Sequence, residues 1–320
     1  MKRAVISLAV ATVLAVSANA FTLKKYGEFT FKKDHDNVFI MHGPVMEPNV
    51  ENEGFMNNPT IIESEHGLII VDPGGNYNVG KKILAEIEKV SKKPIIATLN
   101  THKHGDHWFA NKAIMEKYPN VVRYAHPHMI EVVKNGEADK WYGILDRLSH
   151  NLKGTKDEYP FPNKTVKNGD KLEIDGQTFY FIHPADAHTD TDIVIIHANS
   201  KTMFMGDNVM KGRLGGFDGS SSILGNIKLL EDIEKAPELT LYIPGHGQSG
   251  KMHETLDPFL NYMKKLVKGG KKALEEDMEA YEVKPEVVED MKDYQKWDAF
   301  DHQMGKHLQK VLLELESADE

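Results

Sequence analysis

The chain has 320 residues, a formal net charge of −9 and no cysteine. The acidic balance, with no basic stripe along the chain, argues against nucleic acid as a partner. Without cysteine there are neither disulfides nor thiolate metal sites, so any metal ligands must be histidines and carboxylates. The length fits one large domain, or one domain with an appendage.

The first twenty residues have the layout of a secretory signal peptide. A basic start is followed by an apolar stretch over residues 4–16 and by Ala-Asn-Ala at residues 18–20. The apolar stretch is too short to span a bilayer comfortably, and no later segment has about 18 uninterrupted apolar residues. We therefore expect a periplasmic or secreted protein that begins near Phe21 and has no membrane partner after cleavage.

Two sets of short strands are predicted, each with its own helices. The strands of the first set are residues 37–41, 60–63, 68–71 and 95–99, and its helices are residues 79–90 and 108–118. The strands of the second set are residues 171–174, 178–182, 192–197, 202–205 and 241–244, with helices at 129–133 and 222–235. Asp175-Gly176 is typical of a hairpin turn, which favours antiparallel pairing over a doubly wound sheet. The pattern predicts an α+β fold with two sheets packed face to face and helices outside.

The character of the chain changes at about residue 255. From there it is rich in lysine and glutamate, with apolar positions at helical spacing. We therefore predict a catalytic domain over residues 21–254 and a helical C-terminal extension over residues 255–320. Pro285 is predicted to begin a short helix between two longer ones.

A cluster of potential metal ligands follows the predicted strand 95–99. Residues 101–107 read Thr-His-Lys-His-Gly-Asp-His and contain four candidate donors: His102, His104, Asp106 and His107. Imidazole nitrogens and carboxylate oxygens are good ligands for zinc and similar divalent ions. The first two donors point to the same side of an extended segment, and the last two follow a glycine and can face a second metal. The alternative is a polar loop of solvated histidines.

Three further candidate donors stand at the ends of later apolar runs. They are His188, Asp207 and His246. Sheet proteins assemble their sites at such strand ends, so these side chains are expected to join the cluster. His126 and His128 lie elsewhere and are assigned to surface or structural roles. Trp108 and Phe109, directly after the cluster, are assigned to core packing.

The order of these motifs resembles the metallo-β-lactamase superfamily. Asp72 after an apolar strand, the HxHxDH motif at residues 102–107, and then His188, Asp207 and His246 appear in the superfamily's order. The resemblance covers about residues 30–250. It implies an αββα four-layer sandwich with the site at one edge of the two sheets. It also favours His188 over the neighbouring His183 as a ligand.

The resemblance implies a role for each donor. One metal would be held by His102, His104 and His188. The other would be held by Asp106, His107 and His246, with Asp207 bridging the two. The implied cofactor is two Zn²⁺ ions, and the implied reaction is attack of a metal-bridged hydroxide on an ester, thioester, lactone or amide carbonyl of a small-molecule substrate. Asp106 would also orient the nucleophile, and Asp72 would fix the tautomer of a ligand histidine.

Residues 51–59 narrow the resemblance to a subgroup. They resemble the exported zinc metallohydrolases associated with sulfur-oxidation and quinoprotein-related gene clusters. An aspartate at position 207 is unlike the best known lactamases, and it resembles hydroxyacylglutathione hydrolases and lactonases instead. Lys211 and Arg213 follow in a loop that is predicted to run along the site. They are candidates for pairing with a substrate carboxylate or sulfonate, with solvated surface charge as the alternative.

Two other functions are compatible with the same residues. A mononuclear Fe²⁺ persulfide dioxygenase would need only His102, His188 and Asp207. A non-enzymatic metal-binding domain would use the C-terminal helices as a docking surface. The sequence leaves the substrate, the native metal and the oligomeric state open.

Overall fold

A computed structural model describes residues 20–318 of the chain. The predicted signal peptide, apart from its last residue, lies outside the described residues. The described part begins with a two-stranded sheet formed by β1 (Phe21–Leu23) and β2 (Gly27–Phe29). Among residues 20–318, no helix has the length and apolar character needed to cross a membrane.

The first large sheet has seven strands, which neighbour one another in chain order. They are β3 (Lys32–His35), β4 (Val38–Ile40), β5 (Thr60–Glu63), β6 (Leu68–Val71), β7 (Ile95–Leu99), β8 (Val122–Ala125) and β9 (Lys164–Thr165). Pairing is antiparallel from β3 to β6 and parallel from β6 to β9. The crossovers contain α1 (Tyr77–Val90), α2 (Gly105–Trp108) and α3 (Asn111–Lys117). Because β6, β7 and β8 are parallel, the loops after them meet at one edge of the sheet.

The second large sheet has five strands, again in chain order. They are β10 (Lys171–Ile174), β11 (Gln177–Ile182), β12 (Val194–His197), β13 (Thr202–Met210) and β14 (Leu241–His246). All pairs are antiparallel except β13 with β14. Asp175 and Gly176, with φ of 45° and 77°, form the turn between β10 and β11. This confirms the predicted hairpin, since a two-residue turn of this kind needs positive φ at both positions.

The two sheets pack face to face through one buried cluster. It includes Ile62, Ile69 and Leu99 of the first sheet with Phe181 and Ile195 of the second. On the outer face of the first sheet, α1 and α3 bury Val79, Ile83, Ile87 and Ile114. On the outer face of the second sheet lie α6 (Ile223–Glu234) and α7 (Met252–Glu275). The predicted four-layer α+β sandwich is therefore confirmed.

Two helices, α4 (Pro127–Val132) and α5 (Ala138–Ser149), separate β8 from β9. The first was predicted in part and the second was missed. The C-terminal region contains α7, α8 (Ala280–Asp290) and α9 (Phe300–Ala318), and their buried side chains share one cluster with β13 and α6. Pro285 lies inside α8, so the prediction that it begins the helix is wrong. The reciprocal capping of Glu279 and Glu282 starts the helix one and a half turns earlier.

Candidate metal centre

The seven predicted metal donors come together at one edge of the two sheets. The loop after β7 contributes four of them, the loop after β11 contributes His188, and β13 and β14 contribute Asp207 and His246. Every one of these side chains is buried, the most accessible being 6% exposed. Gly245 permits the close approach of β14, because a Cβ at this position would lie 1.9 Å from Asp207 Oδ1.

Four of the donors form what we call the three-histidine group: His102, His104, His188 and Asp207. His188 Nε2 lies 3.0 Å from His104 Nδ1 and 3.6 Å from Asp207 Oδ2. His102 Nε2 lies 4.0 Å from the same carboxylate oxygen. The donor atoms therefore converge on one point.

A second set, the two-aspartate group, consists of Asp106, His107, Asp207 and His246. Asp106 Oδ2 lies 3.4 Å from His107 Nε2 and 3.3 Å from His246 Nε2. Asp207 Oδ1 lies 3.0 Å from His107 Nε2, and its Oδ2 lies 3.2 Å from His246 Nε2. Asp207 belongs to both groups, so one carboxylate joins two sets of donors.

The donor chemistry and spacing fit divalent metal ions. Tetrahedral zinc, with ligands at about 2.0–2.2 Å, needs donor atoms roughly 3.3–3.6 Å apart, close to the separations found here. Among the described residues, several inward-facing buried atoms have no hydrogen-bond partner: His102 Nε2, His107 Nε2, His246 Nε2 and Asp207 Oδ1. Buried polar atoms are normally paired, so this convergence of unpaired donors is the arrangement that a metal would satisfy.

The charge states of the imidazoles differ between the two groups. Burial opposes ionisation of Asp207, yet the imidazoles of His246 and His107 hold the pKa of this carboxyl well below its usual value. Burial holds the pKa of His102 well below its usual value and lowers that of His188 to about 4. Burial also opposes protonation of His107 and His246, yet the Asp207 and Asp106 carboxylates raise the pKa of His107 well above its usual value, and Asp207 raises that of His246. Because neutral imidazoles are the forms that bind metals, a metal at the two-aspartate group would displace protons from these two histidines.

Asp72 orients ligands of both groups. Its Oδ2 accepts hydrogen bonds from His107 Nδ1 at 2.9 Å and from the Thr101 hydroxyl at 2.6 Å. Since that hydroxyl donates to Asp72, its oxygen accepts from His102 Nδ1 at 3.0 Å. Both imidazoles are thereby left with Nε2 free to face the centre. The tautomer-fixing role of Asp72 stays a prediction, and these hydrogen bonds are the contacts through which it would act.

His246 and His104 have different supports. His246 Nδ1 donates to the Met56 carbonyl at 2.8 Å, which again leaves Nε2 for the centre. The ring of His104 lies against Trp141 of α5, with centroids 4.2 Å apart. Sequence reasoning missed Trp141, because it lies on a helix that was not predicted. It also missed Thr101, although its place beside His102 was a usable signal.

The comparisons with known proteins agree with this geometry. A model of the metallo-beta-lactamase superfamily matches residues 52–246. The chain belongs to this superfamily. It is also similar to a solved metallo-beta-lactamase from Pontibacter korlensis, with a TM-score of 0.58 and 16% identity, covering 74% of this chain and 99% of that one. At that identity the likeness concerns the fold.

Two curated relatives carry names of specific hydrolases. A linear primary-alkylsulfatase from a Pseudomonas species is 46% identical over 57 residues, which is 18% of this chain and 11% of that protein. A hydroxyacylglutathione hydrolase from Prochlorococcus marinus is 25% identical over 186 residues, 58% of this chain and 62% of that protein. The chain thus spans less than two thirds of the length of either relative.

Lys211 and Arg213 lie in different surroundings within this superfamily site. Burial lowers the pKa of the Lys211 ammonium, and the Glu254 carboxylate opposes that shift. Arg213 is 5% exposed, and its Nη1 lies 3.3 Å from His246 Nδ1. Because that nitrogen already donates to a carbonyl, the guanidinium packs against the ring, and its Nη1 donates to Met56 Sδ at 3.3 Å. No carboxylate oxygen of residues 20–318 lies within 4.0 Å of the Arg213 guanidinium.

The other histidines considered from the sequence lie outside both donor groups of the superfamily site. The rings of His126 and His183 stack at 3.8 Å, and His183 Nδ1 hydrogen-bonds the Asp192 carbonyl at 2.7 Å. His128 Nε2 hydrogen-bonds Asp190 at 3.0 Å. Trp108 and Phe109 are fully buried in the core, as predicted.

Proposed function

We propose that this member of the superfamily is an exported, dinuclear zinc-dependent hydrolase of small-molecule substrates. The observation that carries the proposal is the pair of donor groups sharing Asp207. Export to the periplasm or beyond is proposed from the signal-peptide pattern of the first twenty residues. The resemblance of residues 51–59 supports a place among the metallohydrolases of sulfur-oxidation and quinoprotein-related clusters.

The second donor group favours two metals over one. A mononuclear iron dioxygenase would need only His102, His188 and Asp207, all from the three-histidine group. That reaction gives no role to the three other buried donors of the two-aspartate group, Asp106, His107 and His246, which nevertheless converge within hydrogen-bond-like distances. Burying such polar side chains without a partner is costly, so a second ion is the simplest account of them.

The residues of the chain divide the work of hydrolysis. Two zinc ions, when bound, would supply hydroxide at neutral pH and polarise the substrate carbonyl. Asp106, buried and with its pKa held well below its usual value despite burial, chiefly by His107, would accept a hydrogen bond from the attacking water and orient it. Asp72 keeps His107 and His102 in the tautomers that face the centre. Trp141 packs against the ring of His104 and would hold its orientation.

Arg213 points to the substrate class. Burying a guanidinium without a carboxylate partner costs free energy unless a bound anion balances its charge. The planar guanidinium suits carboxylate or sulfonate groups. We therefore propose that the substrate joins a hydrolysable ester, thioester, lactone or amide to an anionic group. The similarity to an alkylsulfatase and a hydroxyacylglutathione hydrolase places alkyl sulfates and glutathione thioesters in the first panel to test.

The test is turnover by zinc-loaded protein purified after export. It should hydrolyse at least one member of a panel of thioesters, lactones, β-lactams and alkyl sulfates, and Asp232→Ala on the surface of α6 should hydrolyse it equally well. Asp207→Ala should abolish the reaction. Oxygen uptake on a persulfide by iron-loaded protein, with no hydrolysis by the zinc form, would overturn the proposal.

A further inference from the structure

The C-terminal helices contact the loop that follows β13. We call residues 211–217 of this loop the Arg213 segment. The backbone N–H of Asp298 donates to the Gly212 carbonyl at 2.9 Å, and the N–H of Leu214 donates to the Asp298 carbonyl at 2.9 Å. Arg213 and Asp298 therefore form a short parallel bridge. Asp298, two residues before α9, thus fixes the backbone on both sides of Arg213.

A buried tyrosine–histidine pair fixes the same segment further along. His307 of α9 is 1% exposed, and its Nε2 donates to the Gly215 carbonyl at 2.9 Å. A carbonyl only accepts, so the proton is on Nε2 and Nδ1 accepts from the hydroxyl of Tyr262, 2.8 Å away on α7. The bond to Gly215 fixes the tautomer that accepts from Tyr262, and both ring nitrogens of His307 are hydrogen-bonded.

The Arg213 segment contacts one ligand of each donor group. Arg213 packs against His246 and against Met56, whose carbonyl orients His246. At the other end, the ring of Phe217 lies edge-on to His188 with centroids 5.8 Å apart, and edge-on to His307 at 4.9 Å. Displacement of this segment would therefore reach both groups.

We infer that Tyr262 and His307 are positioning residues for the metal centre. They hold the Arg213 segment so that Arg213 packs against the outer nitrogen of His246, Nδ1, and Phe217 supports His188. This inference rests on the proposed function for its kinetic consequences, but its structural consequences are independent of any substrate. It gives the C-terminal helices a role in the site itself.

The chemistry of the pair argues for positioning over simple space-filling. The surroundings are apolar, since Phe259 and Trp297 lie beside Tyr262, and leucine and phenylalanine would fill the same volume. Burying an imidazole and a phenol costs free energy unless both form hydrogen bonds. A fully hydrogen-bonded network then holds the side chains in one arrangement. Outside the helices, this network hydrogen-bonds to the Gly215 carbonyl.

The experiment compares His307→Leu, His307→Gln and Tyr262→Phe in the full exported chain. Glutamine can place an amide N–H near the position of Nε2 and rescue the bond to Gly215, whereas leucine cannot. Tyr281→Phe and His253→Leu, at exposed positions of α8 and α7, are the matched controls. The first readout is hydrogen exchange of residues 211–217 in the zinc-loaded protein, and the second is the visible spectrum of the cobalt-substituted protein.

We expect amide exchange in the Arg213 segment to rise about tenfold or more in His307→Leu, because local opening no longer breaks the Gly215 bond. The cobalt bands should shift, and KM for an anionic substrate should rise more than kcat falls. Tyr262→Phe should give a smaller change of the same kind, His307→Gln should return toward wild type, and the controls should match it.

Unchanged exchange and an unchanged cobalt spectrum in both His307→Leu and Tyr262→Phe would overturn the inference, even if the melting temperature falls. If His307→Leu does not fold, Tyr262→Phe decides the question alone. If the wild-type protein has no hydrolase activity, the exchange and cobalt readouts still test the positioning role, so failure of the proposed function is distinguished from failure of this inference.

Discussion

The two donor groups are supported in different ways. In the two-aspartate group, each imidazole donates to a strong acceptor, His107 to the Asp72 carboxylate and His246 to the Met56 carbonyl. In the three-histidine group only His102 has such a partner, through Thr101. Among the described residues, the outward nitrogens of His104 and His188 have none.

The side chains of the two groups are therefore held in place by different physical interactions. Hydrogen bonds to the outer nitrogen fix tautomer and ring orientation and raise ligand basicity, so the two-aspartate group is oriented electrostatically. The three-histidine group depends on packing, with Trp141 against His104 and Phe217 against His188. Asp72 links the two groups, because it accepts a hydrogen bond from Thr101, which in turn accepts one from His102.

The largest effect is expected from Asp207→Ala, because this residue belongs to both groups. The variant should keep at most one tightly held ion and lose activity by more than about 100-fold, the upper loss seen when only outer partners of ligands are removed. Elemental analysis and kcat/KM measure the two effects. A variant that still binds two ions at full occupancy would show that the ligand assignment is wrong.

A comparison of Asp72→Asn with Thr101→Val should separate the groups. Asp72 has φ of 48°, a region that asparagine also tolerates, so the backbone need not change. Its amide would face two donors, and metal affinity should fall about 10–100-fold. Thr101→Val removes only the hydroxyl that links Asp72 to His102, so metal affinity should fall at the three-histidine group alone. Equal losses of both ions in both variants, measured by competitive chelation, would contradict the comparison.

Arg213→Ala should affect substrate binding on the side of the two-aspartate group. We expect KM for anionic substrates to rise about tenfold, as for loss of one charged hydrogen bond, with neutral substrates little changed. Adding Lys211→Ala should contribute little, because its charge already interacts with the Glu254 carboxylate. If the double variant raises KM equally for neutral substrates, the anion-binding role fails.

The packing around the three-histidine group should be acid-sensitive through His307, which supports Phe217. Burial lowers the pKa of His307 to about 3, below its unfolded value near 6.5. The neutral form is favoured in the fold, so its contribution to stability is complete above pH 6.5 and is lost as pH falls toward 3. Melting temperatures of His307→Gln should therefore fall less than those of wild type between pH 6.5 and 4; parallel curves would contradict this.

Much of the fold and the donor set was predictable because local signals were strong. The predicted strands 60–63, 68–71 and 95–99 match β5, β6 and β7, since each is a short apolar run bounded by turn residues. The donors were found because each stands at the end of such a run. Supports set by distant contacts were not predictable: Trp141 lies on an unpredicted helix, and the orientation of Arg213 is set by Asp298, far along the chain.

The central claim is that the two groups hold two ions joined by Asp207, and the most direct test is the metal content of the wild-type protein. Elemental mass spectrometry on protein purified from rich medium should find about two zinc ions per chain, as a two-metal hydrolase requires. About one iron ion per chain and no zinc would contradict the account and move the search to oxygen-dependent chemistry on the three-histidine group.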